Sequence, residues 1–205
     1  MSATSLQSDK PLARGFVDPP RCSQQAFRAL MDAMARPGIP RALDVRLAPP
    51  APLTPELAAL ALTVLDYETA VWLDPVLAGE PAVADFLRFH TSARLVEQPG
   101  DAQFALIADS AALPPFSLFA QGEPAYPDRS ATLLVSVAAF TDGPLTLAGP
   151  GLPSPVGFGA RPLPDDLGRR LADNRALFPL GIDLVLAAPG AIAALPRSIR
   201  VMEGA

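Results

Sequence analysis

Few side chains in this sequence could carry out acid–base or nucleophilic chemistry. His90 is the only histidine and Cys22 is the only cysteine. Histidine is the usual proton acceptor near neutral pH, and a cysteine becomes a strong nucleophile when such a base adjoins it. Nothing in their spacing places the two together, and a lone histidine after a helix more often binds local backbone groups. We therefore predict no catalytic residue. The alternative is a small stand-alone hydrolase or anion-binding protein that uses His90 and arginines.

Metal and cofactor sites have little support in the sequence. A zinc site needs several histidine, cysteine or carboxylate ligands that converge, and one histidine with one cysteine does not supply them. Asp66 and Glu68 lie at a helix-to-strand corner, where turn hydrogen bonding is favoured over magnesium binding. Lys10 is the only lysine and lies in the N-terminal tail, so a Schiff base with pyridoxal phosphate has no suitable amine. We predict neither a metal nor a cofactor.

A buried acid and a glycine-rich turn are the next candidates. Asp183 falls inside an apolar segment, where a carboxylate needs a partner, and Arg197 is a candidate for that partner. Gly149 and Gly151 flank Pro150 after a predicted strand, where a ligand could approach the backbone. The turn lacks the Lys-Ser/Thr pair of a phosphate-binding loop, and the proline removes an N–H donor. A tight structural turn is therefore the favoured interpretation.

Arginines are the remaining groups that could bind an anionic ligand or partner, because a guanidinium pairs well with phosphate and carboxylate groups. They are Arg28, Arg36, Arg161, Arg169, Arg170, Arg197 and Arg200. Their scattered positions are more typical of ordinary surface charge than of one site.

Composition limits the class of protein. The chain has 205 residues, a net charge of −5 and hydrophobic residues at half of its positions. The length suits one domain, and the absence of clustered Lys and Arg argues against nucleic-acid binding. The charged fraction of 18% is low, which favours burial of surface in an oligomer. The longest apolar segment is too short for a membrane span and no signal-peptide pattern begins the chain, so we expect a cytoplasmic protein.

The first predicted helix covers 24–35. Ser23 is its predicted N-cap, and Pro19-Pro20 should hold the preceding stretch extended. The helix should end before Pro37-Gly38. Its buried face is predicted from the apolar spacing of Phe27, Leu30, Met31 and Met34.

The other elements predict an α/β fold. Helices are predicted at 55–65 (capped by Thr54), 81–89, 165–178 and 191–194, and strands at 43–47, 69–73, 94–96, 104–108, 132–137, 145–148, 182–187 and 198–202. The strand at 182–187 is continuously apolar, which is typical of a buried parallel strand. Strands that mostly alternate with helices predict a three-layer αβα fold with a mixed sheet. We divide the chain into a disordered tail, 1–14, and a single α/β domain, 15–205.

Six segments together resemble the PhnH family, the H subunit of the bacterial carbon–phosphorus lyase. In chain order they read QQAFRALMDAMARPG, LRFHTSARLV, SATLLVSV, LAGPGL, FPLGIDLVL and LPRSIRV. No single segment is a chemical motif, but their conjunction is specific: they occur in the family's order and span nearly the whole chain after residue 15. One departure is Ser198-Ile199, where the family tends to have a threonine pair after Pro-Arg.

The resemblance implies a role in phosphonate breakdown. Together with the G and I subunits and the L protein, members of this family are needed to transfer ribose triphosphate from ATP to a phosphonate, displacing adenine. Cleavage of the carbon–phosphorus bond belongs to the J subunit. The implied partners are a second copy of the chain, in a homodimer, and the G, I and J subunits of the core complex.

The implied fold is that of the large domain of pyridoxal-phosphate transferases, without the cofactor and its lysine. The resemblance supplies no catalytic residue to carry over. It leaves Arg28, Arg36, His90, Asp183 and Arg197 as candidates for ligand or interface contacts. The chain is thus expected to be a subunit of an assembly and inactive alone, either structural or contributing a wall of a ligand site.

Overall fold

A seven-stranded mixed sheet organises the computed structural model, which describes residues 12–202. The helices are α1 (Pro19–Ala35), α2 (Pro55–Val64), α3 (Pro75–Ala78), α4 (Pro81–Thr91) and α5 (Leu167–Ala176). The strands are β1 (Arg41–Ala42), β2 (Ala70–Leu73), β3 (Arg94–Val96), β4 (Phe104–Ile107), β5 (Gln121–Glu123), β6 (Tyr126–Ser130), β7 (Thr132–Ser136), β8 (Ala139–Ala148), β9 (Val156–Arg161), β10 (Asp183–Ala188), β11 (Ala191–Leu195) and β12 (Arg200–Met202). Residues 1–11 of the predicted disordered tail, 1–14, lie outside the described residues.

The main sheet has the order β1-β11-β10-β7-β4-β2-β3. Strands β10, β7, β4, β2 and β3 are parallel, and β11 runs antiparallel to β10 and β1. Apolar runs in the central strands explain this arrangement, because parallel strands are covered on both faces. Leu134 of β7 pairs with Val185 of β10 and with Leu106 of β4, and all three side chains are fully buried.

Successive residues of the central strands point to opposite faces and so divide the core in two. One face, which includes Leu106 and Val185, packs against α1, α2 and α4. The other face, which includes Ile107 and Leu186, is covered by α5, by the loop after β4 and by the three-stranded sheet β12-β8-β9. The predicted α/β class and mixed sheet are confirmed. The second covering layer contains strands as well as a helix, because β8 and β9 form a hairpin where only one short strand was predicted.

The start and the buried face of α1 were predicted wrongly. The helix begins at Pro19 with Asp18 as its cap, whose carboxylate accepts from the backbone N–H of Arg21. Proline suits the first helical turn because its missing N–H has no partner there. The buried residues of α1 are Ala26, Leu30 and Ala33, whereas two residues of the predicted buried face, Phe27 and Met31, are half exposed.

Other differences concern short elements. The segment 191–194, predicted as a helix, is part of β11, because its backbone completes the ladder beside β10. The alternation at 43–47 predicted a strand, but only Arg41–Ala42 pairs, at the edge of the sheet. The hairpin of β5 and β6 lies in a region predicted as a loop. The cap of α2 is confirmed, since Thr54 Oγ1 accepts from the backbone N–H of Leu57.

Candidate functional site

His90 lies in the last turn of α4 and contacts the segment that leads into α1. Its Nε2 lies 3.0 Å from the carbonyl oxygen of Ala13. Because a carbonyl only accepts, Nε2 carries the proton and donates it. The other ring nitrogen is covered by the backbone of Gly15, where a β-carbon would lie 2.9 Å from Nδ1. Phe86 and Phe89 contact the ring, at centroid distances of 4.6 and 5.0 Å. The imidazole therefore links the last turn of α4 to the chain segment before α1.

Cys22 lies in another environment. It lines a groove of about 630 Å³ between α1 and the segment 42–46. His90 is not among the residues that line this groove. The structure thus does not bring His90 and Cys22 together as the pair that nucleophilic catalysis would need.

The pairing of Asp183 with Arg197 is confirmed. The guanidinium donates from Nε to both carboxylate oxygens at 3.2 Å and from Nη2 to Oδ2 at 2.5 Å. The backbone N–H of Arg197 donates to Oδ1, and Nη1 donates to the carbonyl of Pro127. The two side chains are only 14% and 15% exposed. This pair joins the start of β10 to the segment after β11 and to the β5–β6 hairpin, so its role is to stabilise the fold.

The glycine-rich turn packs against the protein itself. Gly151 has φ +84°, and a β-carbon there would lie 2.0 Å from the carbonyl oxygen of Ala35 at the end of α1. Gly149 has φ +148° and approaches the carbonyl of Ser198. Both positions need glycine because the turn closely approaches α1 and the segment before β12. The expected tight turn is therefore what the structure contains.

The candidate arginines are dispersed. Arg28 is exposed on α1. Arg36, at the end of the same helix, pairs with Asp32, which also pairs with Arg41. These residues lie far along the chain from Asp183 and share no described contact with it. The structure does not bring the arginine candidates into one anion site.

A second arginine-rich contact stabilises α5. Asp166 accepts from Arg169 and Arg170, and Arg170 also donates to the carbonyl of Leu113. Partial burial of Asp166 raises its pKa, but the hydrogen bonds and charges of the two arginines outweigh that effect, so the pKa stays below its usual value. These arginines are thus engaged by a neighbouring acid.

Asp74 was not recognised as an important residue in the sequence. It is only 3% exposed and follows β2. Its Oδ1 accepts from the backbone N–H of Leu77, and its Oδ2 accepts from the N–H groups of Ala108 and Asp109, all at 2.9 Å. The carboxylate joins the ends of two neighbouring parallel strands. The Asp-Pro sequence, with an N-cap acid before a proline, was the available signal.

A cleft of about 480 Å³ lies at the carboxyl ends of β4, β7 and β10, beside the start of α2. In open α/β sheets this edge is where ligands generally bind. Thr54, Ser110 and Ser136 line it, together with the acidic residues Glu56 and Asp109. The Ser110 hydroxyl donates to the carbonyl of Pro162, and the Ser136 hydroxyl donates to Thr54 Oγ1. Glu56 accepts from the N–H of Gly190 at 2.9 Å. The cleft therefore offers oxygen-rich hydrogen-bonding groups and no cation, which suits a polar, uncharged group better than a phosphate.

Within residues 12–202, no three acidic, histidine or cysteine side chains are grouped so that they could hold a metal ion. None of the helices in this part of the chain is long and apolar enough to cross a membrane. Fold and contacts together define an α/β protein in which His90, Asp183 and Arg197 hold elements of the fold together.

Comparison with known proteins identifies the family. The model of the bacterial phosphonate metabolism protein (PhnH) family matches residues 14–202. A Rhizobium meliloti protein named alpha-D-ribose 1-methylphosphonate 5-triphosphate synthase subunit PhnH is 44% identical over 187 residues, which are 91% of this chain and 93% of that protein. A Stutzerimonas stutzeri protein named putative C-P lyase subunit protein HtxG is 29% identical, covering 89% and 87% of the two chains. The chain belongs to the bacterial phosphonate metabolism protein (PhnH) family.

Proposed function

We propose that this chain is a subunit of the synthase that makes α-D-ribose 1-methylphosphonate 5-triphosphate, and that it is not catalytic alone. In that reaction the ribose triphosphate of ATP is transferred to a phosphonate and adenine leaves. The proposal rests on the 44% identical relative named as this subunit and on the named C-P lyase subunit. The G, I and J subunits are the proposed neighbours in the core complex, and the L protein takes part in the transfer.

One observation carries the assignment to a non-catalytic role. The three reactive groups that the sequence singled out, His90, Asp183 and Cys22, do not form a catalytic arrangement. His90 donates to a backbone carbonyl, Asp183 is bound by Arg197, and Cys22 lies in a groove that His90 does not line. A stand-alone hydrolase would need a nucleophile and a base within hydrogen-bonding reach. The two groups on which the hydrolase alternative relied first, His90 and Cys22, do not form such a pair.

The proposal also covers the location, the oligomeric state and the fold of the protein. We place the protein in the cytoplasm and expect it to form a homodimer when isolated. Residues 15–205 would form one domain whose sheet resembles the large domain of pyridoxal-phosphate transferases. The mixed seven-stranded sheet, with helices packed on it, supports that likeness. An experimental structure superposed on such a transferase would test it.

Co-purification tests the proposed function. The tagged chain is expressed with its genomic neighbours, and the purified product is sized by light scattering. A stable hetero-oligomer that contains the chain is the expected result. A chain that elutes without any neighbour would contradict the proposal and return attention to His90 and the arginines. The tag expressed alone with the same neighbours controls for non-specific capture.

The cleft at the carboxyl edge of the sheet favours a second candidate role, as one wall of a ligand site. Its three hydroxyls and two carboxylates could bind the hydroxyl groups of a ribose, because carboxylates accept hydrogen bonds from ribose hydroxyls. Titration calorimetry with ATP tests this role. Saturable binding that Ser136→Ala weakens while the exposed Ser154→Ala does not would support it, and no binding at millimolar ATP would contradict it.

A further inference from the structure

The cleft at the carboxyl edge of the sheet has the size and the apolar lining of a small-molecule site. Its volume of about 480 Å³ falls within the range of roughly 300–1,000 Å³ that is usual for such sites. More than half of the residues that line it are apolar, among them Pro55, Val137, Pro162 and Pro189. An apolar wall of this kind favours a flat ring over a group that needs hydrogen bonds on every side.

The two acidic side chains of the cleft are held in place through one oxygen each. Oε1 of Glu56 accepts from the N–H of Gly190, and Oδ1 of Asp109 accepts from the N–H groups of Ala111 and Ala112. In the described part of the chain, no donor contacts Oε2 of Glu56 or Oδ2 of Asp109. The second oxygen of each carboxylate therefore remains an acceptor for a ligand.

The hydroxyl groups of the cleft add more acceptors than donors. Ser110 donates its proton to the carbonyl of Pro162 at 2.8 Å, and Ser136 donates to Thr54 Oγ1 at 3.5 Å. Each serine oxygen can still accept, and of these three hydroxyls only that of Thr54 keeps a proton without a described acceptor. A ligand that fills the cleft must therefore supply hydrogen-bond donors.

Phosphate and phosphonate groups do not meet this requirement. Their ionised oxygens only accept hydrogen bonds, and in the cleft they would lie beside two carboxylates. No lysine, arginine or histidine is among the described residues that line the cleft. The positive end of α2 borders it, but Glu56 in the first turn of that helix already supplies a negative charge there. The chemistry of the cleft thus disfavours the triphosphate end of ATP.

We propose that the cleft binds the adenosine end of ATP, with the base against the apolar wall and its amino group donating to Glu56 or Asp109, while the triphosphate lies outside. This inference rests on the proposed function, in which adenine leaves from ATP, and adds which end of the substrate this chain holds. The amino group of adenine supplies two N–H donors and the ribose supplies hydroxyl donors, which match the acceptors of the cleft. The chain then contributes binding and orientation to the reaction.

Titration calorimetry of the isolated full-length chain tests which end of ATP binds. Adenosine should bind saturably, with a Kd within about 3-fold of that of ATP, because the triphosphate adds no contact. Inosine should bind at least about 10-fold more weakly, since its ring carbonyl replaces the amino donor and faces a carboxylate. Tripolyphosphate should neither bind nor displace adenosine.

Three results of this titration would overturn the proposal. The first is the absence of saturable adenosine binding at millimolar concentration. The second is equal affinity for inosine and adenosine, which would show that no carboxylate contacts the amino group. The third is an affinity for ATP far above that for adenosine, or displacement of adenosine by tripolyphosphate, which would place the triphosphate in the site.

Two isosteric substitutions test the carboxylate contact. Glu56→Gln and Asp109→Asn keep the oxygen that accepts from the backbone and replace the other oxygen with an NH₂ donor. At least one of them should weaken adenosine binding by about 10-fold or more and reduce or reverse the preference over inosine. Asp85→Asn, at an exposed acid of α4 outside the cleft, is the matched control and should leave both Kd values unchanged.

Circular dichroism checks that the variants are folded, and the ligand series on the unaltered chain does not depend on them. Wild-type affinity and preference in both cleft variants would overturn the proposal. A chain that co-purifies with its neighbours but binds no adenosine would lose the ligand site and remain a subunit. A chain that binds adenosine but associates with no neighbour would instead contradict the proposed function, so the two failures are distinguishable.

Discussion

Replacing Arg197 with alanine tests whether the Asp183–Arg197 pair stabilises the fold. The substitution removes three side-chain hydrogen bonds to Asp183 and one to the carbonyl of Pro127. It leaves the carboxylate, which is 14% exposed, with the backbone N–H of residue 197 as its only described donor. A buried charge without its partner is strongly destabilising.

The expected loss in the free energy of unfolding follows from how deeply the pair is buried. Removing one member of a fully buried ion pair costs about 3–5 kcal/mol, and the residual exposure of both side chains places this pair at the lower end, about 3 kcal/mol. For a chain of this length that loss lowers Tm by about 6–12 °C. The Tm of Arg197→Lys should lie between those of the wild type and Arg197→Ala, because an ammonium group cannot reproduce the two-pronged guanidinium contact.

Urea unfolding followed by circular dichroism measures the loss. Arg200→Ala is the control, since Arg200 is an exposed arginine on β12. It should remain within about 0.5 kcal/mol of the wild type. An Arg197→Ala protein as stable as the Arg200→Ala protein would refute the structural interpretation of the pair. Loss of ATP binding without loss of stability would indicate a ligand contact instead.

Four other substitutions probe single contacts. Asp74→Ala leaves three backbone N–H groups, one buried and two partly buried, without their acceptor, and urea unfolding should show a loss of about 3 kcal/mol in the free energy of unfolding. Gly151→Ala should lower Tm more than Gly190→Ala, because both glycines have positive φ but only the first β-carbon would meet backbone atoms. His90→Ala should leave the adenine release of the assembly unchanged and reduce stability by about 1 kcal/mol. In Asp166→Asn the free energy of unfolding should fall less steeply than in the wild type as the pH drops below about 4. The lowered pKa of Asp166 means that this acid stabilises the fold while it is ionised and stops doing so when it is protonated.

Each of these has a contradicting result. A wild-type urea midpoint for Asp74→Ala, or equal Tm values for the two glycine variants, would show that the contacts contribute little. Loss of adenine release in a folded His90→Ala protein would revive the catalytic role of the histidine. Unchanged acid unfolding of Asp166→Asn would show that the arginines beside the acid do not stabilise its ionised form in the fold.

Local signals predicted the parts of the fold that local chemistry determines. The Thr54-Pro55-Glu56 sequence predicted the start of α2, and the apolar run at 182–187 predicted a parallel strand. The partner of Asp183 was predicted because a carboxylate in an apolar strand needs a cation or donors. In these cases the neighbouring residues along the chain, or one strong physical requirement, were enough to predict the structure.

Tertiary contacts decided the rest. The alanine-rich segment 191–194 favours a helix locally, but its backbone groups pair with β10 and β1 and so form a strand. Helical spacing alone could not tell which apolar face of α1 meets the sheet, because Phe27 and Met31 are as apolar as the residues that are buried. The cleft at the carboxyl edge joins residues from five separate segments, and only the tertiary fold brings them together.

The central claim is that this chain is needed by an assembly and does no chemistry alone. The most direct test is adenine release from ATP and methylphosphonate by the remaining purified subunits, measured with and without added chain. We predict no release without the chain, restored release with it, and no turnover by the chain alone. Full activity of the other subunits in its absence, or turnover by the isolated chain, would contradict the account.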